Sequence, residues 1–334
     1  MVTREEFEYK LTSYAASSGV QLQTVVDTYV NDTINKMNVF YNLIPKKQGI
    51  GGSIVWESYK GFFTEAGQSS ENPAVISGDL TPDQFTMGYK IQQATAEVTD
   101  YYETLFQNNP NHIGQAASLF AEKVNKATEA IMAKPYVDTN TKYGLNGQLF
   151  RDGTAVVNLG ASGLLYWLDD SSNTLSGPTT VAGKTRSSYT QLCATVDTAT
   201  EALSEAKLRS TFATLETAGA DYRKFMIVTT PTILANWRNR QQSAQHYVNT
   251  TELKVGFSKT MVPTFDEVPM YADKDCPSGD AFVLDMGTWE YHVLKDFFYE
   301  DLAKTGATKK GFIRQYGNLI CRASNFNAVL TNKS

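Results

Sequence analysis

The pattern that most constrains this chain is residues 111–135, NHIGQAASLFAEKVNKATEAIMAKP. Apolar side chains recur at Ile113, Ala116, Ala117, Phe120, Val124, Ala127 and Ile131, steps of three and four that form one stripe on a helix. Glu122, Lys123, Lys126 and Glu129 fall on the opposite side. Asn111 supplies a cap, and Pro135 ends the pattern. A helix over 112–134 would be about 34 Å long at ~1.5 Å per residue. Its Ala-rich stripe suits close packing on a sheet. Taken alone, it is an ordinary core helix.

The 334 residues suffice for two or three packed subdomains. At 42% hydrophobic, the chain can bury a substantial core. A net charge of −5 leaves no basic excess for sequence-specific nucleic-acid binding. The start, MVTREEFEYK, lacks a signal-peptide core, and no run of about 18 apolar residues predicts a membrane span. Cys193, Cys276 and Cys321 are odd in number and scattered, which fits free thiols in a reducing compartment. Without a secretion signal, the sequons at Asn31 and Asn249 read as chance.

Residues 1–48 carry partial helical stripes, such as Leu22, Val25, Val26, Tyr29, Val30, Thr33 and Met37, and read as loosely attached. Pro45-Lys46-Lys47 breaks that pattern. Residues 49–92 read as a long hairpin: strand-like SIVWESYKGFF, a polar middle, then FTMGYKIQQATAEV. Its apolar content is too low for a core of its own, so it must rest on something else. Residues 136–190 read as loops with short strands, AVVNLG and GLLYWL among them. Beyond 191, helix and strand alternate. Ser204 caps a helix bearing Leu208, Phe212 and Leu215, with Leu203 and Leu208 as a hydrophobic staple. KFMIVT is a buried strand. Thr230 caps the next helix with Pro231 at its first position, and Ile233, Leu234 and Trp237 face inward. VPMYA and AFVLDM are two further strands. Residues 289–316 form a second hairpin, with Trp289, Tyr291 and Val293 alternating against Glu290 and His292. The last stretch is a pair of strands or one bent strand.

No motif argues for catalysis. Gly49-x-Gly51 lacks a third glycine and precedes a strand, so it reads as a flexible hinge rather than a dinucleotide loop. Asp273-Lys-Asp275 with Gly279 and Asp280 has Pro277 and Ser278 where a calcium loop needs a ligand and a glycine; a turn between strands fits better. His112, His246 and His292 lie on different elements with no ligand partners at zinc spacing. Asp169-Asp170 beside SSN reads as a solvated turn. The expected sites are therefore no catalytic residue, no cofactor and no metal.

Four segments, in order, resemble the major capsid protein of tailed bacteriophages. They are FTMGYKIQQATAEVTDYYETL leading into 112–134; GKTRSSYTQLCATVDTATEALSEAKLRSTFATL; ADYRKFMIVTTPTILANW; and VPMYADKDCPSGDAFVLDMGTWEY followed by FIRQYGNLICRASNFNAVL. The resemblance covers nearly the whole chain. It implies an α+β Hong Kong-type capsid fold. In it, residues 1–48 are an N-terminal arm and 49–92 an extended loop reaching over a neighbouring subunit. Residues 93–190 are a peripheral domain with 112–134 as its spine helix, and 191–288 are an axial domain. Residues 289–316 are the peripheral domain's hairpin and 317–334 the closing strands of the axial domain.

The implied function is structural: self-assembly as hexamers and pentamers into an icosahedral shell around viral double-stranded DNA. The implied location is the virion capsid, made in the host cytoplasm. The implied partners are other copies of the chain, with a separate scaffolding protein, a portal and a decoration protein as further candidates. Contact with packaged DNA is non-specific, and no membrane is involved. Many family members carry an N-terminal scaffolding segment that a protease removes. An extended loop starting near residue 49 leaves no room for one, so the chain is mature, uses a separate scaffold, or uses none. Trp56, Phe62 and Phe63 are the candidate anchors on a neighbour; the competing reading buries them at the hairpin base. Lys60 and Lys90 lie where some relatives cross-link, but no cross-link is predicted. The alternatives are an encapsulin-like nanocompartment shell protein and a cytosolic α+β enzyme with an unrecognised site.

Overall fold

The computed structural model describes residues 39–58, 82–101, 144–151, 161–243, 250–255, 258–302 and 306–334, with helical positions 104, 123, 124, 126, 127, 130 and 131 between them. Helix α1 (Val39–Leu43) leads through Pro45 into strand β1 (Lys46–Gln48). Strands β2 (Ser53–Ser58) and β3 (Asp83–Gly88) pair antiparallel, with Ser53 opposite Gly88 and Ser58 opposite Asp83. After Tyr89 the chain continues as β4 (Lys90–Thr99). The strand-like run that began at Phe85 is thus two strands in two different sheets.

Two one-turn helices follow, α2 (Leu145–Leu149) and α3 (Leu164–Trp167), then the small ribbon β5 (Thr180–Val181) and β6 (Lys184–Thr185). Next come β7 (Thr195–Asp197), α4 (Glu205–Thr217), β8 (Phe225–Thr229), α5 (Pro231–Ser243), β9 (Thr250–Val255), β10 (Ser258–Phe265), β11 (Val268–Ala272) and β12 (Ala281–Asp285). The long strands β13 (Trp289–Leu302) and β14 (Thr308–Cys321) and the short β15 (Ala328–Leu330) complete the chain.

Among the described residues, one sheet has the order β1-β13-β14-β4 and a second the order β7-β15-β12-β8-β11-β10-β9. Strands β8, β12 and β15 are buried throughout, as expected for strands covered on both faces. Their side chains divide by the strand period of two. Met226, Val228, Phe282, Leu284 and Val329 join one hydrophobic cluster; Phe225, Ile227, Ala281, Val283, Ala328 and Leu330 join the other. The second cluster is closed by Leu208, Phe212 and Leu215 of α4 and Ile233, Leu234 and Trp237 of α5. Both caps are formed: Ser204 Oγ accepts from Lys207 N–H, and Thr230 Oγ1 from Ile233 N–H.

In the four-stranded sheet, β4 buries Gln92, Ala96 and Val98 and exposes Ile91, Gln93, Thr95 and Glu97. Of the 112–134 stripe, the described part behaves as its spacing predicts. Val124, Ala127 and Ile131 are buried in the cluster that holds Ala96 and Val98, while Lys123 and Lys126 are exposed. Ile113, Ala116, Ala117 and Phe120 lie outside the described residues.

Several expectations are corrected. GLLYWL is not a strand but α3, which points Leu164 and Trp167 into the core together. Gly163 begins that turn because a side chain there would collide with the Gln148 and Arg151 carbonyl oxygens. Residues 39–48 are not loosely attached: Phe40, Tyr41 and Ile44 are buried, and β1 lies parallel on β13. Gly49 is not a flexible hinge, since the Tyr89 ring fills the space a Cβ would need and Gly49 N–H bonds the Val293 carbonyl at 2.7 Å. The second hairpin runs to Cys321 rather than 316. The chain then crosses through a 3-10 turn into β15 of the other sheet, so the terminal stretch is a pair of strands.

Candidate assembly site: the docked base of the hairpin

The β2–β3 ribbon has no core of its own and is held by the loop segment 161–194. Trp56 stacks on Phe85, with ring centroids 5.6 Å apart, and reaches Trp167 at 6.2 Å. Phe85 meets the edge of Tyr189, and the Tyr166 hydroxyl lies on Met87 Sδ. Thr86 N–H bonds the Ala182 carbonyl, and Lys184 pairs with Asp83 at 2.8 Å. Gln191 donates to Ser58 Oγ at the far end of the ribbon. Trp56 is thus a contact within its own subunit, at the hairpin base. Phe62, Phe63 and Lys60 lie outside the described residues.

The platform beneath the ribbon is organised by two buried charges that sequence reasoning missed. Arg186 is 2% exposed. Its guanidinium donates to the carbonyls of Tyr166 at 2.7 Å, Trp167 at 2.8 Å, Leu192 at 2.9 Å and Asp169 at 3.2 Å. One planar fork therefore ties α3 to the 3-10 turns on either side of Tyr189. Asp169 is fully buried, correcting the solvated-turn reading. Its carboxylate accepts from the backbone N–H groups of Asp170, Leu175 and Gly177. Asp170 does serve the exposed turn, accepting from Ser172 and Thr174. Burial lowers the Arg186 pKa, and the Asp169 charge opposes that.

A second centre straps residues 39–48 to the long hairpin. Gln315 donates to the Tyr41 hydroxyl and to Asp296, and accepts from the Tyr291 hydroxyl, all at 3.0–3.1 Å. Burial raises both tyrosine pKa values. Register shifts in β13 between Val293 and Lys295 and between Lys295 and Phe298 turn Asp296 towards this network. Nearby, Glu290 accepts from Lys47 at 2.6 Å, and from Arg322 and His292 at 3.0 Å each. Burial opposes ionisation there, but those three hydrogen bonds win and hold the carboxyl at about 2.

Asp273 and Asp275 form a turn between β11 and β12, both bound by Asn146 Nδ2 at 2.8 Å. Burial raises Asp280 to about 6. Burial also raises all three thiols, so none is an activated nucleophile. His292 serves Glu290; His112 and His246 lie outside the described residues. Among the described residues, no helix is long and apolar enough to cross a membrane.

The two sheets, the strapped amino-terminal segment and the long β13–β14 hairpin together form the Hong Kong-type capsid fold. The structure is similar to the capsid asymmetric unit of cyanophage A-1(L), with a TM-score of 0.64, 13% identity, and coverage of 92% of this chain and 93% of that one. It is also similar to the capsid of an empty GTA particle, with a TM-score of 0.57, 12% identity and 90% of each chain covered. The holo-SrpI encapsulin complex of Synechococcus elongatus PCC 7942 shares the fold at a TM-score of 0.54 and 11% identity, over 88% of this chain and 87% of that one. No curated protein matches by sequence. The family model of the SU10 major capsid protein matches residues 91–334, and the chain belongs to that family. It is a major capsid protein of the tailed-phage type, a structural component of the virion capsid.

Proposed function

We propose that copies of this chain close as hexamers and pentamers into an icosahedral shell around double-stranded DNA, after synthesis in the host cytoplasm. In this reading residues 1–48 are the N-terminal arm, of which 39–48 are strapped to the subunit. Residues 49–92 are the extended loop. Residues 93–190 with the β13–β14 hairpin are the peripheral domain, and 112–134 is its spine helix. The seven-stranded sheet is the core of the axial domain. A separate scaffolding protein, a portal and a decoration protein are the further partners. The observation that carries the reading is the docked ribbon. Its own subunit anchors the base through Trp56, Phe85 and Met87, while residues 59–81 carry too few apolar side chains for a core of their own.

The test is purification followed by light scattering and negative-stain microscopy, with and without co-expressed phage scaffold. Closed shells containing nucleic acid are expected from infected cells. Stable monomers under every condition would refute assembly, and shells filled with enzyme cargo instead of DNA would favour a nanocompartment.

A further inference from the structure

Two strands run side by side from the seven-stranded sheet into the long hairpin. The β12–β15 ladder ends at Val283 opposite Ala328, and the β13–β14 ladder begins at Trp289 opposite Cys321. Between those rungs lie residues 284–288 on one side and 322–327 on the other, stretches of unequal length that do not pair in register. Element ends of this kind are where a chain bends. A main-chain bond crosses the gap, from Arg322 N–H to the Thr288 carbonyl at 2.9 Å. The rest of the link is one side chain. Asn327 is fully buried. Its Oδ1 accepts from the N–H of Asp285, the last residue of β12, at 2.9 Å, and from the indole Nε1–H of Trp289, the first residue of β13, at 2.8 Å. Its Nδ2 donates to the Thr288 hydroxyl at 3.1 Å and to the Ala323 carbonyl at 2.9 Å, and lies 3.7 Å from Cys321 Sγ. The Thr288 hydroxyl in turn donates to the Asp285 carbonyl at 2.8 Å. Both acceptor positions and both amide protons of the carboxamide are therefore used. Apolar contacts also join the sheets, since Phe282, Leu284 and Trp289 share one cluster. Such contacts are non-directional and fix how close the sheets lie. Hydrogen bonds are directional and fix the angle.

We infer that Asn327 is a clip that sets the angle between the two sheets and, through it, the curvature of the assembled shell. The inference rests on the shell reading above, in which the seven-stranded sheet is the axial core and the long hairpin belongs to the peripheral domain. The angle between them governs how steeply neighbouring capsomers tilt. A clip that holds every copy near one shape gives shells of one diameter. Asn327 does this as a positioning residue: it is buried within its own subunit and acts through the strands it joins. An alanine there would leave the Asp285 N–H and the Trp289 indole N–H buried without an acceptor, and an aspartate would lack the two donors.

The test compares particles of the wild-type chain with those of W289F and T288V, each of which removes one arm of the clip and keeps Asn327. Hydrogen exchange of the unassembled variants should rise about tenfold at residues 284–288 and 322–327 while β8 and β11 stay protected. In negative-stain micrographs their particles should spread over several diameters where the wild type gives one. I227V loosens the core of the seven-stranded sheet away from the gap and controls for stability alone; its particles should keep one diameter. A single wild-type diameter from T288V and W289F, or the same spread from I227V, overturns the proposal. So does exchange raised equally throughout the sheet. Folded variants that form no particles also overturn it, because a clip sets curvature and not association. Where W289F does not fold, T288V decides. Failure of the wild-type chain to assemble would count against the shell reading instead.

Discussion

Arg186→Met removes the fork beneath the hairpin base while keeping most of the apolar stem, so it isolates the charged head. Five backbone carbonyls lose a donor, three of them bonded at 2.9 Å or less and that of Pro178 at 3.4 Å. Single hydrogen bonds to a charged group contribute about 1.5–3 kcal/mol each, but they do not add when they share one head. Breaking a buried charged network by removing one partner costs about 3–5 kcal/mol, and that is the expected loss. It is a large part of a domain's stability of about 5–15 kcal/mol. Arg186→Lys keeps the charge without the fork and should lose nearly as much. Urea unfolding of the unassembled subunit, followed by tryptophan fluorescence because Trp167 sits on the fork, should show a midpoint lowered by about 1 M or more, given slopes of a few kcal/mol per M. A methionine variant within about 0.5 kcal/mol of wild type would refute the reasoning, because such a change is ordinary for a surface position. Where the variant still folds, it should assemble poorly, since Tyr166, Trp167 and Tyr189 would no longer present a fixed platform to Phe85 and Trp56.

Val124→Asp should cost several kcal/mol by burying an unpaired carboxylate, whereas Lys123→Ala should stay within about 0.5 kcal/mol; equal melting shifts would displace the stripe from the core. Deleting residues 60–80, which spares Phe85, should leave the melt of the isolated subunit nearly unchanged and abolish shells; an unfolded product would make the segment intramolecular. Glu290 is held at about 2 against a usual 4.5. Its contribution, about 3 kcal/mol at most, is therefore present above pH ~4.5 and lost as pH falls through about 2, and Glu290→Gln should remove that acid-side slope. Asp280 has the opposite sign: raised to about 6 from 3.8, it favours the fold most below pH ~3.8 and loses that contribution as pH rises through about 6. Asp280→Asn should gain about 1–3 kcal/mol at pH 7 and flatten the pH 4–6 slope in thermal melts.

Local periodicity made much of the fold legible. The caps at Ser204 and Thr230, the buried strand at 225–229 and the alternation of Trp289, Tyr291 and Val293 all follow from interactions within a few residues of one another. The readings that failed depend on distant partners. GLLYWL has strand composition, but Gly163 must pass against the Gln148 and Arg151 carbonyls, and only a helical turn then brings Leu164 and Trp167 to one side. Residues 39–48 look like the end of a loose arm because Tyr41 and Lys47 find their partners, Gln315 and Glu290, more than 200 residues away. Asp169 looks like a solvated loop charge, and Arg186 carries no signal at all, because the groups that satisfy them are backbone N–H and C=O groups, which leave no side-chain signature. Such charges declare themselves only when a loop-rich segment must be rigid. A glycine- and serine-rich stretch such as 171–188 cannot be fixed by apolar burial alone, so a buried arginine in its midst is the physical means by which it can carry a hairpin base. The same logic separates base from tip: Phe85 and Met87 alternate towards a core that exists in one subunit, whereas Phe62 and Phe63 sit among polar residues that have no such core within their own stretch of chain.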